Sequence, residues 1–125
     1  MEERTGERRA ADRRRDPMGD EAVDEALRFL NDFAEEAGVA RAQVTYLENF
    51  RKITLARLRR ESPEKSIDAR DNWARVHPEY MVVVDAQNAA IAKQETLFWK
   101  RTAAVATIEA WRTKNANVRG AHQMR

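Results

Sequence analysis

The sequence predicts an all-α fold: a long, coiled-coil-like antiparallel helical hairpin with a short corner helix, oligomerising into a bundle. Three observations carry this. Ala, Glu, Arg and Leu dominate, all good helix formers, while 4 Gly and 3 Pro leave few places to turn. A seven-residue apolar repeat runs on from Val23. Two prolines, Pro63 and Pro78, divide the chain where a hairpin must reverse.

The first segment, "MEERTGERRAADRRRDPMG" (1–19), has almost no large apolar side chain. It cannot bury enough surface to offset the entropy of ordering, so a disordered or frayed tail is expected. Its Arg13-Arg14-Arg15 run points toward nucleic acid. Six Arg against five acids nearly cancel, which favours a solvated tail.

Helix formation is expected from Asp20, a good N-cap followed by acids that suit a helix N-terminus. Stepping by seven gives Val23, Leu30, Ala37, Val44, Arg51 and Leu58; three residues later runs Ala26, Phe33, Ala40, Leu47 and Thr54. The register passes Gly38 without a slip. One helix over about 20–61 is therefore expected, with a kink at Gly38 left open. "ESPEKS" puts Ser62 at an N-cap and Pro63 at the first position of a second helix, about 63–76. "VHPEY" repeats the device: His77 precedes a proline, and Pro78 and Glu79 start a last helix over about 78–118. Gly120 is expected to end it, leaving 120–125 as a tail and 20–119 as the hairpin domain.

Charge supports an antiparallel return. Residues 20–38 carry seven acids and one Arg, whereas the far end of the last helix carries Lys100, Arg101, Arg112, Lys114 and Arg119 against Glu109. Exposed pairs contribute little each, so the pattern sets orientation more than stability.

The last helix is apolar on more than one side. Its main stripe has one row through Val83, Ala90, Leu97, Ala104 and Trp111, and another through Val84, Ile91, Phe98, Val105 and Arg112. Between them lie Tyr80, Gln87, Gln94, Arg101 and Ile108. The polar members either hydrogen-bond across the helices or open to water. Leu97, Phe98, Val105, Ile108 and Trp111 are expected in the core. A second face holds Val82, Ala89, Ala92, Trp99, Ala103, Ala106 and Ala110. A two-helix hairpin cannot cover both, so this face is a candidate protein interface, to another copy or to a different macromolecule.

Little points to catalysis. There is no Cys, no phosphate-binding Gly loop and no nucleophile motif. His77 and His122 lack companions at metal-ligand spacing, and Glu95 and Glu109 are too far apart to share a proton. A non-enzymatic protein without metal or cofactor is expected. No apolar run approaches the roughly 20 residues that span a bilayer, and there is no signal-peptide core, so a cytoplasmic protein with no membrane contact is expected. Arg51, Lys52, Arg57, Arg59 and Arg60 are the candidate nucleic-acid contacts. Phosphate binding needs such charge, but the nearby acids also fit a solvated face.

Three stretches carry a resemblance: "YLENFRK" (46–52), "ARDNWARVHPEY" (69–80) and "TIEAWRTKNANVRG" (107–120). They resemble a group of small uncharacterised phage and prophage proteins patterned YLExFRK, A…HPEY, xIExWRS/T…R. The resemblance spans about residues 40–120 and brings no catalytic residue with it. Genes of that group tend to lie among phage DNA-recombination genes. It therefore implies a phage accessory protein in the bacterial host, assisting DNA recombination or replication through protein and nonspecific nucleic-acid contacts. Its partners would be a second copy, a phage or host DNA-metabolism protein, or nucleic acid. An inhibitor that occludes a host defence or repair protein is the alternative, and a purely structural coiled-coil spacer is a third reading.

Overall fold

A computed structural model describes residues 19–123, which are 92% helical and contain no strand. Helix α1 is Asp20–Glu61, α2 is Ile67–Arg75 and α3 is Pro78–Gln123. The expected tail, apart from Gly19, and Met124–Arg125 lie outside the described residues.

Three junctions show how local chemistry sets these limits. The Gly19 carbonyl accepts from the Val23 N–H at 3.1 Å, so Gly19 caps α1 and Asp20 is its first helical residue. The second helix starts later than expected, at Ile67 instead of residue 63. Ser66 sits at φ −85°, ψ 154°, and its hydroxyl accepts from the Ala69 N–H at 3.1 Å, the geometry of an N-cap. Ser62 instead accepts from the Glu64 N–H two residues on, at 3.2 Å, which holds a turn. His77 then caps α3 twice over. Its carbonyl accepts from Met81 N–H at 3.1 Å and its Nδ1 from Glu79 N–H at 3.1 Å.

Glycine breaks neither long helix. Gly38 and Gly120 both have helical backbone without positive φ, so α3 continues through 120 to Gln123 where a tail was expected. A glycine withholds helix propensity, about 1 kcal/mol against Ala, but removes no hydrogen bond. A Cβ added at Gly38 meets nothing within 4 Å. Gly38→Ala is therefore expected to raise stability by about 0.5–1 kcal/mol, measured by urea unfolding.

The described residues divide into two compact units. Unit 1 contains those up to Ala34 and from Phe98 onward; unit 2 is Glu35–Leu97. Each pairs a segment of α1 with a segment of α3, and unit 2 also contains α2.

In unit 2 the α1 segment, α2 and the start of α3 form a helical hairpin. Leu55, Leu58, Ala74 and Tyr80 are its buried cluster, with Trp73 and Val84 packed against them. Leu58 and Ala74 have no exposed surface. Ala40, Leu47 and Thr54 are buried along the same side of α1. In unit 1 Val23, Ala26 and Ala104 are buried, and Leu30, Phe33, Ile108 and Trp111 half-buried. Every position of the two heptad rows on α1 is buried or half-buried.

On α3 the stripe is narrower than expected. The row through Val83, Leu97 and Ala104 is buried, and Gln87, Ala90 and Gln94 are half-buried. Beyond Val84, which packs on the unit 2 cluster, the outer row is not core: Ile91 is 43% exposed, Phe98 50% and Val105 40%. The physical reason is simple. One facing helix covers two adjacent rows, and a third row about 50° further round turns outward. Arg101 and Arg112 are likewise exposed. Phe98→Ala should thus cost about 1 kcal/mol or less in thermal unfolding, against about 3–5 for a buried phenylalanine.

Candidate functional site

The candidate contact residues fall on the surface of both units. In unit 2 most of the cations proposed for nucleic acid are already engaged. Arg57 donates to Glu61 at 3.0 Å and also to Glu79. Arg59 Nε donates to Asp71 at 2.8 Å, and Arg75 Nε to the other oxygen of Asp71 at 2.8 Å. Lys52 lies 3.6 Å from Glu48. Arg51 turns inward, its guanidinium donating to the Tyr80 hydroxyl at 3.2 Å, while its Nε is buried without a partner among the described residues. Arg60 alone of the five is exposed and makes no ion pair with the described residues. The cluster is one of cations bridged by acids, not a bare positive patch.

These bridges have a pH signature. The Asp71 carboxyl is held below the ordinary carboxylate range, first by the hydrogen bond from Arg75 and then by that from Arg59. Glu79 is lowered chiefly by its hydrogen bond from Arg57. A pKa lower in the folded chain means the unfolded chain binds more protons. The stabilisation is complete above the ordinary carboxylate range and is lost as pH falls through the depressed value. An Asp71→Asn, Glu79→Gln variant is expected to lose less melting temperature than the parent on acidification below that range. Both groups are exposed, so the difference is small.

Two of the motif stretches meet here. "YLENFRK" and "HPEY" join through Arg51 and Tyr80, and Trp73 packs on His77 with ring centroids 5.0 Å apart. Tyr46 and Phe50 of the first motif do not join this cluster. They stack on each other at 6.0 Å and 11° and remain 60% and 43% exposed.

The second face of α3 is open in both units. Val82, Ala89 and Ala92 are exposed in unit 2; Trp99, Ala103 and Ala106 are exposed and Ala110 half-buried in unit 1. Trp99, 61% exposed, meets Phe98 edge to face at 5.5 Å and 81°. Unit 1 also holds an open groove of about 510 Å³ between Val23, Leu27 and Ile108, rimmed by Asp20, Asp24 and Arg112. The Trp111 indole N–H donates to Asp20 at 3.2 Å along it. Arg101 lies over the Phe33 ring, 5.8 Å from its centre, and Arg112 turns to Glu109 at 3.4 Å. Those contacts answer for two of the basic residues expected to face the acidic segment.

Four threonines of α3, the exposed Thr96, Thr102 and Thr113 and the half-buried Thr107, donate to the carbonyl four residues back. Their hydroxyls are satisfied locally and leave the outward surface less polar than its sequence suggests. Among the described residues no group of three or more His, Asp or Glu is placed to hold a metal ion. No helix among them is long and apolar enough to cross a membrane.

One exposed feature escaped the sequence reading: Val39, Tyr46, Phe50 and Ile53 on α1. Its signal was a run of Val39, Tyr46 and Ile53 at seven-residue spacing, two positions after a core row, with Phe50 four residues after Tyr46.

What the described residues define is an all-α protein with a helical hairpin. No protein-family model matches the chain, and no curated protein or solved structure matches it.

Proposed function

We propose that the protein works by binding and not by turnover, as a phage accessory factor in DNA metabolism that engages a protein partner through the outward face of α3. The observation that carries this is the exposed Phe98–Trp99 pair. Large aromatic side chains on a surface lose free energy to water and dominate binding energy when a partner covers them. The phage setting rests on the resemblance of the three motif stretches. Protein contact is favoured over nucleic acid because Arg57, Arg59 and Lys52 already have acidic neighbours.

The test is capture of partners from lysogenic or infected cells by the tagged chain, with and without nuclease, beside Trp99→Glu. Partners that survive nuclease and are lost in the variant support the reading; their identity separates a recombination or replication factor from an occluded host defence or repair enzyme. Partners lost to nuclease favour nucleic acid. That reading also requires purified-DNA binding that weakens steeply with salt and is lost on charge reversal at Arg60, whose mutation breaks no ion pair.

A further inference from the structure

The outward side of α1 in unit 2 carries a second heptad seam. Glu35, Val39, Ala42, Tyr46, Asn49, Ile53, Ala56 and Arg60 follow one another at alternating steps of four and three, and every one is exposed. This seam lies roughly opposite the buried rows through Ala40, Leu47 and Thr54, since two positions advance a helix by about 200°. Val39 is 63% exposed, Tyr46 60% and Ile53 65%. A solvated helix face does not need three large apolar residues at heptad spacing.

The order of residues along the seam names its occupant. Set one copy of α1 against another running the opposite way, with the dyad between Tyr46 and Asn49. Val39 then faces Ala56, Ala42 faces Ile53, and Tyr46 faces Asn49: each large side chain meets a small or short one. At the two ends Glu35 faces Arg60. Arg60 makes no ion pair with the described residues, and neither does Glu35. On the flank, Glu36 comes beside Arg57. A parallel pair does the reverse. It stacks Tyr46 on Tyr46, leaves a gap where Ala42 meets Ala42, and brings Arg60 against Arg60. Packing and charge therefore choose the same orientation, and Asn49 near the dyad, the one polar residue between the charged ends of the seam, fixes the register as such residues do in coiled coils.

We propose that the protein is a two-fold homodimer in which the α1 helices of two copies pair antiparallel through this seam. The contact uses no residue of the Trp99 face of α3, and it stands whether or not the partner of the preceding section exists.

The test uses the purified full chain. Sedimentation equilibrium at tens of micromolar should give a dimer mass. Ile53→Glu should give a monomer with unchanged helical circular dichroism; the site is exposed, so folding is spared. Glu35→Arg alone should weaken the dimer, and Glu35→Arg with Arg60→Glu should restore it. Orientation is read by disulfide trapping, which the absence of native cysteine makes clean. A mixture of Val39→Cys and Ala56→Cys chains should cross-link to each other, and neither to itself. A monomeric parent, a dimer that survives Ile53→Glu, a charge swap that fails to restore, or efficient self-cross-linking of either single variant would each overturn the proposal. Retained dimerisation in Ile53→Glu that is lost in Trp99→Glu would move the interface to α3.

Discussion

Leu58→Ala is expected to destabilise the chain by about 2–5 kcal/mol, seen as a large drop in urea midpoint with the slope little changed. Leu58 has no exposed surface and sits where α1, α2 and the start of α3 come together, with Ala74 and Tyr80 as neighbours in one buried cluster. A cavity there would be closed off from solvent, since no part of Leu58 is exposed. The total stability of a domain is itself only about 5–15 kcal/mol, so the variant stands near the edge of folding. A loss below about 1 kcal/mol would mean that α2 does not cover this leucine.

Tyr80→Phe is expected to cost about 1–3 kcal/mol although it removes a single oxygen. The hydroxyl is the acceptor for the part-buried Arg51 guanidinium, whose Nε already lacks a partner among the described residues. Removing the acceptor strands more of a charged group that water reaches poorly. Arg51→Met tests the other half of the pair. It keeps the long apolar stem and removes the charge, so it should be neutral or stabilising, as replacement of poorly compensated buried charge often is. In the double variant Tyr80→Phe should then cost little. A thermodynamic cycle over the four chains measures this coupling, and a coupling near zero would place the guanidinium in water.

How much of this was legible beforehand differs from helix to helix. The heptad on α1 placed Leu47 and Leu58 inside correctly, because a repeat that keeps one register over a whole helix can face only one way. The end of α1 and the start of α3 followed from the Pro63 and Pro78 signals, whereas the cap of α1 is Gly19 and not Asp20. The start of α2 did not: Ser62 and Ser66 are both plausible caps, and which hydroxyl reaches an N–H three residues on is decided by the turn they share. On α3 the apolar residues are spread so widely that periodicity could not say which two rows a single neighbour covers. Phe98 and Val105 were misplaced for that reason. The cations at the corner were legible as a cluster, but their engagement was not. Asp71 reaches Arg59 from a different helix, and no one-dimensional spacing shows that. The outward seam was missed because the core repeat on the same helix accounted for its helicity.

Unit 2 is continuous in the chain, whereas unit 1 is assembled from the two ends, and its Trp111–Asp20 bond closes over 91 residues. A ribosome that has delivered Leu97 has therefore released every residue of unit 2, whose contacts are comparatively local and quick to form. The first segment of unit 1, made before unit 2, has by then been waiting for a complement not yet made. Throughout that interval Val23, Ala26 and Phe33 have no α3 residues of their own unit to pack against. The nascent chain is thus most exposed to mispairing at the acidic end of α1, where like charges on neighbouring chains hold them apart.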